Sequence, residues 1–260
     1  KLVRLNIIPE NRVAFIKNAC FLLRQIITIG QPKNIICSSY GIREGIIYAS
    51  DVAYEKSGAG KSSTDILIEA AKISLHKNAP YGYGNKWCYY AETLFQFLKP
   101  IFEKIITEQQ YRLAEACCYF ARLGWEKHNS YRGSYAFNYI MNSTLSAITH
   151  QERALIAVAI FHRYETTPSR SLINQARLVL TGTNFENSRI IGFALRFAQV
   201  LSAGDGNLLQ KFCLEVKTEN KALQIILPDD VSCNIITEEI TKKGQKLAKA
   251  MKLKNFGYAN

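Results

Sequence analysis

Residues 62–203 carry helical hydrophobic patterns almost without interruption. Capping boxes of the form Thr-x-x-Glu/Gln stand at 107–110 and 149–152, each just before an apolar run. In such a box, two side chains satisfy free backbone N–H groups at a helix start. Pro100 lies inside the pattern of residues 85–106 and predicts a kink or break there. Together the spacings predict an all-α domain of about six or seven helices.

The first 50 residues predict a helix, a strand and a second helix. In "ENRVAFIKNACFLLRQIITIG", apolar residues recur at helical spacing and Gly30 is the expected C-terminal stop. The strand is "KNIICSS", and "YGIREGIIYAS" resumes a helical pattern. A single strand cannot form a sheet. We therefore expect the partner strands to precede Lys1, which makes the chain a fragment.

The stretch "SGAGKSS" only partly fits a phosphate-binding P-loop. Glu55 occupies the position of the first glycine, where a carboxylate would repel a phosphate, and the preceding "YASDVAYEK" is too polar for a buried strand. The better interpretation is a linker before a helix, with Ser62 and Asp65 as a capping box.

The C-terminal residues predict a small α/β unit. Apolar residues alternate in 212–216 and again in 223–227, around a turn at 219–220, which is typical of a hairpin with one apolar face. The basic amphipathic segment "TEEITKKGQKLAKAMKLKN" predicts a helix that covers the hairpin.

Charge is the strongest compositional signal. The formal net charge is +12, and a field of this sign attracts polyanions such as nucleic acid, polyphosphate or an acidic membrane. Plain solubility is the alternative reading. No apolar run reaches the roughly 18 residues of a spanning helix, and the first residues do not resemble a signal peptide. We expect a soluble, cytoplasmic protein that does not contact membranes.

The seven cysteines form no C-x-x-C pair. Most of them fall in helical patterns (Cys20, Cys117 and Cys118) or strand-like ones (Cys37 and Cys213). The patterns predict buried free thiols, and not disulfides or zinc ligands.

A family resemblance rests on Ser38–Tyr48, "SSYGIREGIIY". This segment, with "PENRV" upstream, resembles the S-x-x-G-[LI]-R-E-G-[LI]-[LI]-Y string that closes the second actin-like lobe in the exopolyphosphatase and guanosine pentaphosphate phosphatase family. Within the string, Arg43 and Glu44 can also be read as a mere surface pair beside two permissive glycines.

The resemblance implies a mainly α fold in three parts. Residues 1–56 would be the remnant of the actin-like lobe, 57–203 an HD-like helical domain, and 204–260 the small α/β unit. The family hydrolyses the terminal phosphate of polyphosphate or guanosine pentaphosphate with Mg²⁺ and an acidic base that belong to the actin-like lobes. By this reasoning the chain alone is inactive, holds no cofactor, contributes polyanion binding and supports a homodimer.

The HD-like domain is expected to lack its metal. Relatives often keep a His-Asp or His-Glu remnant where this chain has "FARLGW", with Ala121 and Arg122 in its place. The four histidines are isolated in sequence, so no pair has ligand spacing. An arginine in place of an acid favours an anion over a cation.

The candidate polyphosphate-binding residues are Arg122, Lys127, His128, Arg132 and Arg163. The segment 123–140 gathers cations and aromatic residues between two helices, where charge-assisted hydrogen bonds could hold phosphates. The alternative is a solvated loop with Trp125 and Tyr131 packed inward. Arg163 could equally complement a helix dipole.

Two other function classes compete with this reading. A stand-alone basic module that binds nucleic acid is disfavoured, because the aromatic residues follow helical core patterns and no nucleic-acid motif occurs. An independent HD metal hydrolase would need the missing His-Asp pair.

Overall fold

The computed structural model describes residues 10–35, 41–43, 46, 65–145, 147–165, 170–180, 182–217, 219, 221–228 and 237–259. The chain divides into two compact units, Lys1–Lys61 and Ser62–Asn260. The P-loop-like stretch and most of the predicted first strand lie outside the described residues, so both stay predictions. The three-part division also stays a prediction.

The first unit contains a short helix α1 (Glu10–Val13) and a longer helix α2 (Ile16–Gly30). The predicted helix is therefore confirmed, with an interruption near residue 14. Gly30 is the last helical residue, and Gln31 takes the left-handed conformation with φ of 38°. The helix therefore ends at the predicted residue, but Gln31, and not the glycine, takes the left-handed position.

The second unit is mainly helical. Its helices are α3 (Ile66–Asn78), α4 (Gly84–Ile105), α5 (Tyr111–Phe120), α6 (Asn129–Asn142), α7 (His150–Tyr164), α8 (Arg170–Arg177), α9 (Gly182–Ser202), α10 (Gly206–Leu209) and α11 (Glu238–Ala250). A 3-10 turn, Glu108–Gln110, precedes α5. None of the described helices is long and apolar enough to cross a membrane.

Helix α7 forms the centre of this unit. Every residue from Arg153 to His162 is buried, and α5, α6 and α9 pack around the helix. A helix that is apolar on nearly all sides is stable only when all of its sides are removed from water. Helix α9 crosses α7 at Gly192, where a Cβ atom would collide with the carbonyl of Ala159. This close crossing sets the distance between two helices that carry the candidate site.

A three-stranded sheet follows the helices, with strands β1 (Cys213–Lys217), β2 (Ala222–Ile226) and β3 (Asn255–Ala259) in that order. Strands β1 and β2 are antiparallel, as predicted, and β3 runs parallel to β2. Helix α11 connects β2 to β3 and packs on α9. The sequence reading missed β3, because "NFGYA" has too few alternating apolar residues to predict a strand.

The two capping boxes are confirmed. Gln110 accepts the N–H of Thr107 at 3.3 Å. In the second box, the carboxylate of Glu152 accepts the N–H of Thr149 at 2.7 Å, and the hydroxyl of Thr149 accepts the N–H of Glu152 at 3.2 Å. The box predicted before α3, with Ser62 as the N-cap, is wrong. Asp65 is the N-cap of α3, and its carboxylate accepts the N–H of Leu67 at 2.8 Å. Helix α4 continues through Pro100 without a break, since buried residues on both sides of the proline hold the helix against the core.

The predicted burial of the cysteines is correct for two of them. Cys117 and Cys118 are buried free thiols, and burial raises the pKa of both. Cys20 and Cys213 are free but exposed, so their predicted burial is wrong. Each lies on an element whose apolar pattern did not show which side faces solvent.

Candidate anion-binding site

Four arginines converge on one cavity of about 470 Å³ in the second unit: Arg122, Arg132, Arg163 and Arg196. The remaining lining residues are Trp125, Asn129, Tyr164, Gln199, Val200 and Glu239. We call this cavity the arginine pocket. Its volume lies in the range of about 300–1,000 Å³ that is usual for small-molecule sites.

Separate helices position the four guanidinium groups. Arg122 follows the end of α5, Arg132 lies in the first turns of α6, Arg163 in the last turn of α7, and Arg196 within α9. Helix α11 contributes Glu239 from its first turn. Because these helices pack on the central core, the pocket is built on rigid elements.

Arg122 is held between two aromatic rings. Its guanidinium carbon lies 4.9 Å from the ring centroid of Trp87 and 4.7 Å from that of Tyr90. One terminal nitrogen donates to the carbonyl of Gly204 at 2.7 Å. Its Nε is buried and has no partner among the described residues. Burial lowers the pKa of Arg122, and the nearby charge of Arg163 lowers it further.

Arg163 is fixed by a second network. Its Nη2 donates to Oε1 of Gln199 at 3.2 Å, and the same oxygen accepts the hydroxyl of Tyr90 at 3.2 Å. The guanidinium carbon lies 4.3 Å from the ring centroid of Tyr164. Its Nε, like that of Arg122, is buried without a partner in the described structure. An unpaired buried donor costs about 1–3 kcal/mol, more when it is charged.

Arg196 completes the group. It donates to the carbonyl of Tyr164 at 3.0 Å. Its pKa is lowered first by burial and then by the positive charge of Arg163, while Glu165 and Glu239 act in the opposite direction. The arginines thus crowd one another and face a single carboxylate in the pocket lining, Glu239.

This arrangement suits an anion with several negative charges. Guanidinium groups stay charged near neutral pH and present N–H groups in forks that match phosphate or carboxylate oxygens. A multiply charged oxyanion would relieve the repulsion between the arginines.

Three of the five predicted residues line the arginine pocket: Arg122, Arg132 and Arg163. Lys127 instead pairs with Glu126 at 3.3 Å and lies over the ring of Tyr135. His128 caps α6, with its Nδ1 accepting the N–H of Ser130 at 3.3 Å. The structure therefore does not bring Lys127 and His128 into the pocket lining.

The alternative in which both aromatic residues of this loop pack inward is wrong for Tyr131, which is 66% exposed. Trp125 is partly exposed and donates its indole N–H to the carbonyl of Asn78 at 3.1 Å. Arg122 bonds a backbone carbonyl and has no carboxylate ion-pair partner among the described residues, since the nearby Glu126 pairs with Lys127.

Sequence reasoning missed Arg196 and Gln199. Both interrupt the apolar pattern of "GFALRFAQVL". A charged residue inside an otherwise buried helical run needs a partner or a ligand, and this is the signal that could have identified Arg196.

The pocket does not fit the divalent ion that HD-type domains hold. Four guanidinium groups repel a cation, and in the parts of the chain that the structure describes no group of three or more His, Cys, Asp or Glu residues could hold a metal ion. His162 lies close by in α7, but it is buried between aromatic rings.

Comparison with known proteins decides the family. The family described as "Exopolyphosphatase, C-terminal" matches the chain over residues 90–255, a span that includes all four pocket arginines. The chain belongs to this exopolyphosphatase C-terminal family. The match begins within α4 and ends at the first residue of β3, so it covers helices α5 to α11 and strands β1 and β2. No curated protein sequence matches the chain.

Proposed function

We propose that the chain is the C-terminal portion of an exopolyphosphatase-type phosphatase and that its arginine pocket binds the polyanionic substrate. The observation that carries this proposal is the convergence of four arginines on one cavity. Membership of the exopolyphosphatase C-terminal family supplies the class of ligand.

The ligand of this proposal is a chain of phosphates, either inorganic polyphosphate or guanosine pentaphosphate. Phosphate oxygens accept bidentate hydrogen bonds from arginine, and each charge-assisted bond contributes about 1.5–3 kcal/mol. In an HD-like domain that lacks its metal, the guanidinium groups would take over the neutralisation of phosphate charge.

Hydrolysis itself belongs, in this proposal, to the actin-like lobes of the family, where the acidic base and Mg²⁺ act. This chain would bind and orient the anion and support a homodimer. We place it in the cytoplasm, because its exposed free thiols, Cys20 and Cys213, suit a reducing compartment.

The test is a calorimetric titration with tripolyphosphate. Arg163→Gln removes one charge from the pocket, and Arg24→Gln removes the same charge from exposed α2 as a matched control. We expect Arg163→Gln to weaken binding about 10- to 100-fold, as loss of one charge-assisted contact implies, and Arg24→Gln to change it less than about twofold. Equal affinities for all three proteins would overturn the proposal.

Two further measurements separate this function from its competitors. Incubation with polyphosphate and Mg²⁺ should release no phosphate, because the hydrolytic groups lie outside this chain. Competition between polyphosphate and duplex DNA should favour polyphosphate. Tighter binding of DNA at matched charge would instead support a nucleic-acid-binding module, for which the exposed Tyr131 is the favourable observation.

A further inference from the structure

A cysteine and a histidine meet between α3 and α4, and neither of them lines the arginine pocket. Sγ of Cys88 lies 3.4 Å from Nε2 of His76. Cys88 is a half-buried free thiol, and His76 is exposed. The two residues stand twelve positions apart, so no ligand spacing in the sequence indicates the pair. They come together because α3 and α4 pack on each other.

Gly84, the first residue of α4, makes room for the imidazole ring. A Cβ atom at this position would collide with Nδ1 of His76. The backbone φ of Gly84 is not positive, so the close approach of the ring, and not the backbone conformation, requires a glycine here. The ring therefore lies with Nδ1 against the glycine and Nε2 toward the thiol of Cys88.

The distance between the two atoms matches that of two ligands on one metal ion. Zinc binds a thiolate sulfur at about 2.3 Å and an imidazole nitrogen at about 2.0–2.1 Å, usually in tetrahedral geometry. These values place the two ligand atoms about 3.5 Å apart. The observed 3.4 Å thus demands almost no movement of either side chain. A simple hydrogen bond between thiol and imidazole also fits this distance, and a test must separate the two.

Acidic groups surround the pair, although the chain carries a formal net charge of +12. Glu92 lies one turn after Cys88 on the same face of α4 and accepts the hydroxyl of Tyr119 at 3.4 Å. On α3, Glu69 pairs with Lys72 at 3.3 Å. The pKa of Cys88 is raised first by burial and also by Glu92 and Glu69, while Lys72 acts in the opposite direction. The negative field that disfavours a free thiolate also attracts a divalent cation.

We propose that Cys88 and His76 bind a divalent ion of the zinc type through the thiolate sulfur and Nε2, with water completing the coordination. Sulfur and imidazole ligands suit such ions, whereas Mg²⁺ and Ca²⁺ take oxygen ligands. On binding, the S–H bond of the thiol breaks, a sulfur–metal bond forms and the proton passes to the solvent. Two protein ligands are fewer than the three or four of catalytic and structural zinc sites, so the ion exchanges readily. The site does not rest on the proposed function of the arginine pocket.

The experiment is a calorimetric titration of the full chain with Zn²⁺, in buffer free of phosphate and chelators. Cys88→Ser and His76→Gln each remove one ligand. The matched controls Cys20→Ser and His128→Asn remove an exposed thiol and an exposed imidazole elsewhere. Gly84→Ala keeps both ligands and displaces the ring of His76, which can move aside because it is exposed. Thermal unfolding of each variant shows whether its fold is intact.

We expect wild type to bind one Zn²⁺ with micromolar affinity. Cys88→Ser and His76→Gln should each weaken binding by about tenfold or more, since even the loss of a residue that only orients a metal ligand costs about 10- to 100-fold. Gly84→Ala should weaken binding with unchanged thermal unfolding, and both controls should stay within about twofold of wild type. Titrations in buffers of different ionisation enthalpy should show about one proton released per ion.

Equal Zn²⁺ affinity in all the proteins would mean an adventitious ion only and would overturn the proposal. Absence of binding would leave the hydrogen bond as the whole role of the pair. Loss of binding in Cys88→Ser without loss in His76→Gln would contradict the two-ligand site. Mg²⁺ bound as tightly as Zn²⁺ would show that the carboxylates hold the ion, and the assigned class of metal would be wrong.

Discussion

Replacing His162 should flatten the acid dependence of stability. His162 is 1% exposed, and its ring lies 5.7 Å from the ring centroid of Phe161 and 5.5 Å from that of Phe193. Its Nδ1 is 3.4 Å from the carbonyl oxygen of Glu165, and its Nε2 is buried without a partner in the described structure. Burial lowers the pKa of His162 from an ordinary value of 6.5 to about 4.

The sign of the effect follows from proton binding. In the unfolded chain the histidine takes up a proton near pH 6.5, whereas the folded protein resists protonation down to about pH 4. The unfolded state therefore binds more protons between these values, and stability falls as the pH falls through this window. The lowered pKa corresponds to about 3 kcal/mol of unfolding free energy, fully present above pH 6.5 and lost by pH 4.

The assay is urea unfolding at several pH values between 4 and 7.5. His162→Phe keeps a planar ring in the site and removes the titrating group. Exposed His128 serves as the control, and His128→Asn retains a side chain that can cap α6. We expect the stability difference between wild type and His162→Phe to shift by about 3 kcal/mol across the window, and the control to follow wild type. Parallel curves for wild type and His162→Phe would refute the reasoning.

Other predictions test packing and the pocket. Gly192→Ala should destabilise the protein by about 1–3 kcal/mol or more in urea unfolding, because its Cβ would meet α7, whereas Gly257→Ala, with open space around it, should cost less; equal costs would contradict the close crossing. Arg122→Leu should cost about 1–3 kcal/mol through loss of its carbonyl bond and aromatic stacking, and unchanged stability would show that it is not fixed there. Peptide mapping after brief thiol labelling should find Cys20 modified in the folded protein and Cys117 modified only after unfolding; early labelling of Cys117 would contradict its burial.

The sequence predicted local structure better than it predicted the third strand. Capping boxes and helical spacing are local signals, so the helices of the second unit and the β1–β2 hairpin followed from the residues themselves. Strand β3 pairs with β2 only after α11 has crossed between them. Such a pairing depends on tertiary packing, which the pattern of "NFGYA" does not report.

The candidate site could also be predicted only in part, because its assembly depends on tertiary packing. Arg122 was predicted from its position at the expected His-Asp remnant, Arg132 from a basic segment between two helices, and Arg163 from its place near a helix end. Arg196 lies in the middle of α9 and reaches the pocket only through the packing of α9 on α7. Lys127 was predicted as a ligand from its place in a basic segment, but its orientation toward Tyr135 is set by the fold and not by the local sequence.

The most direct test of the arginine pocket is the position of a bound oxyanion in crystals. Crystals soaked with tungstate, a heavy tetrahedral analogue of phosphate, should show anomalous density within hydrogen-bonding distance of Arg122, Arg163 and Arg196. Addition of tripolyphosphate should displace it. Density only at other basic surfaces, or an arginine pocket without density at concentrations that saturate binding in solution, would contradict the account.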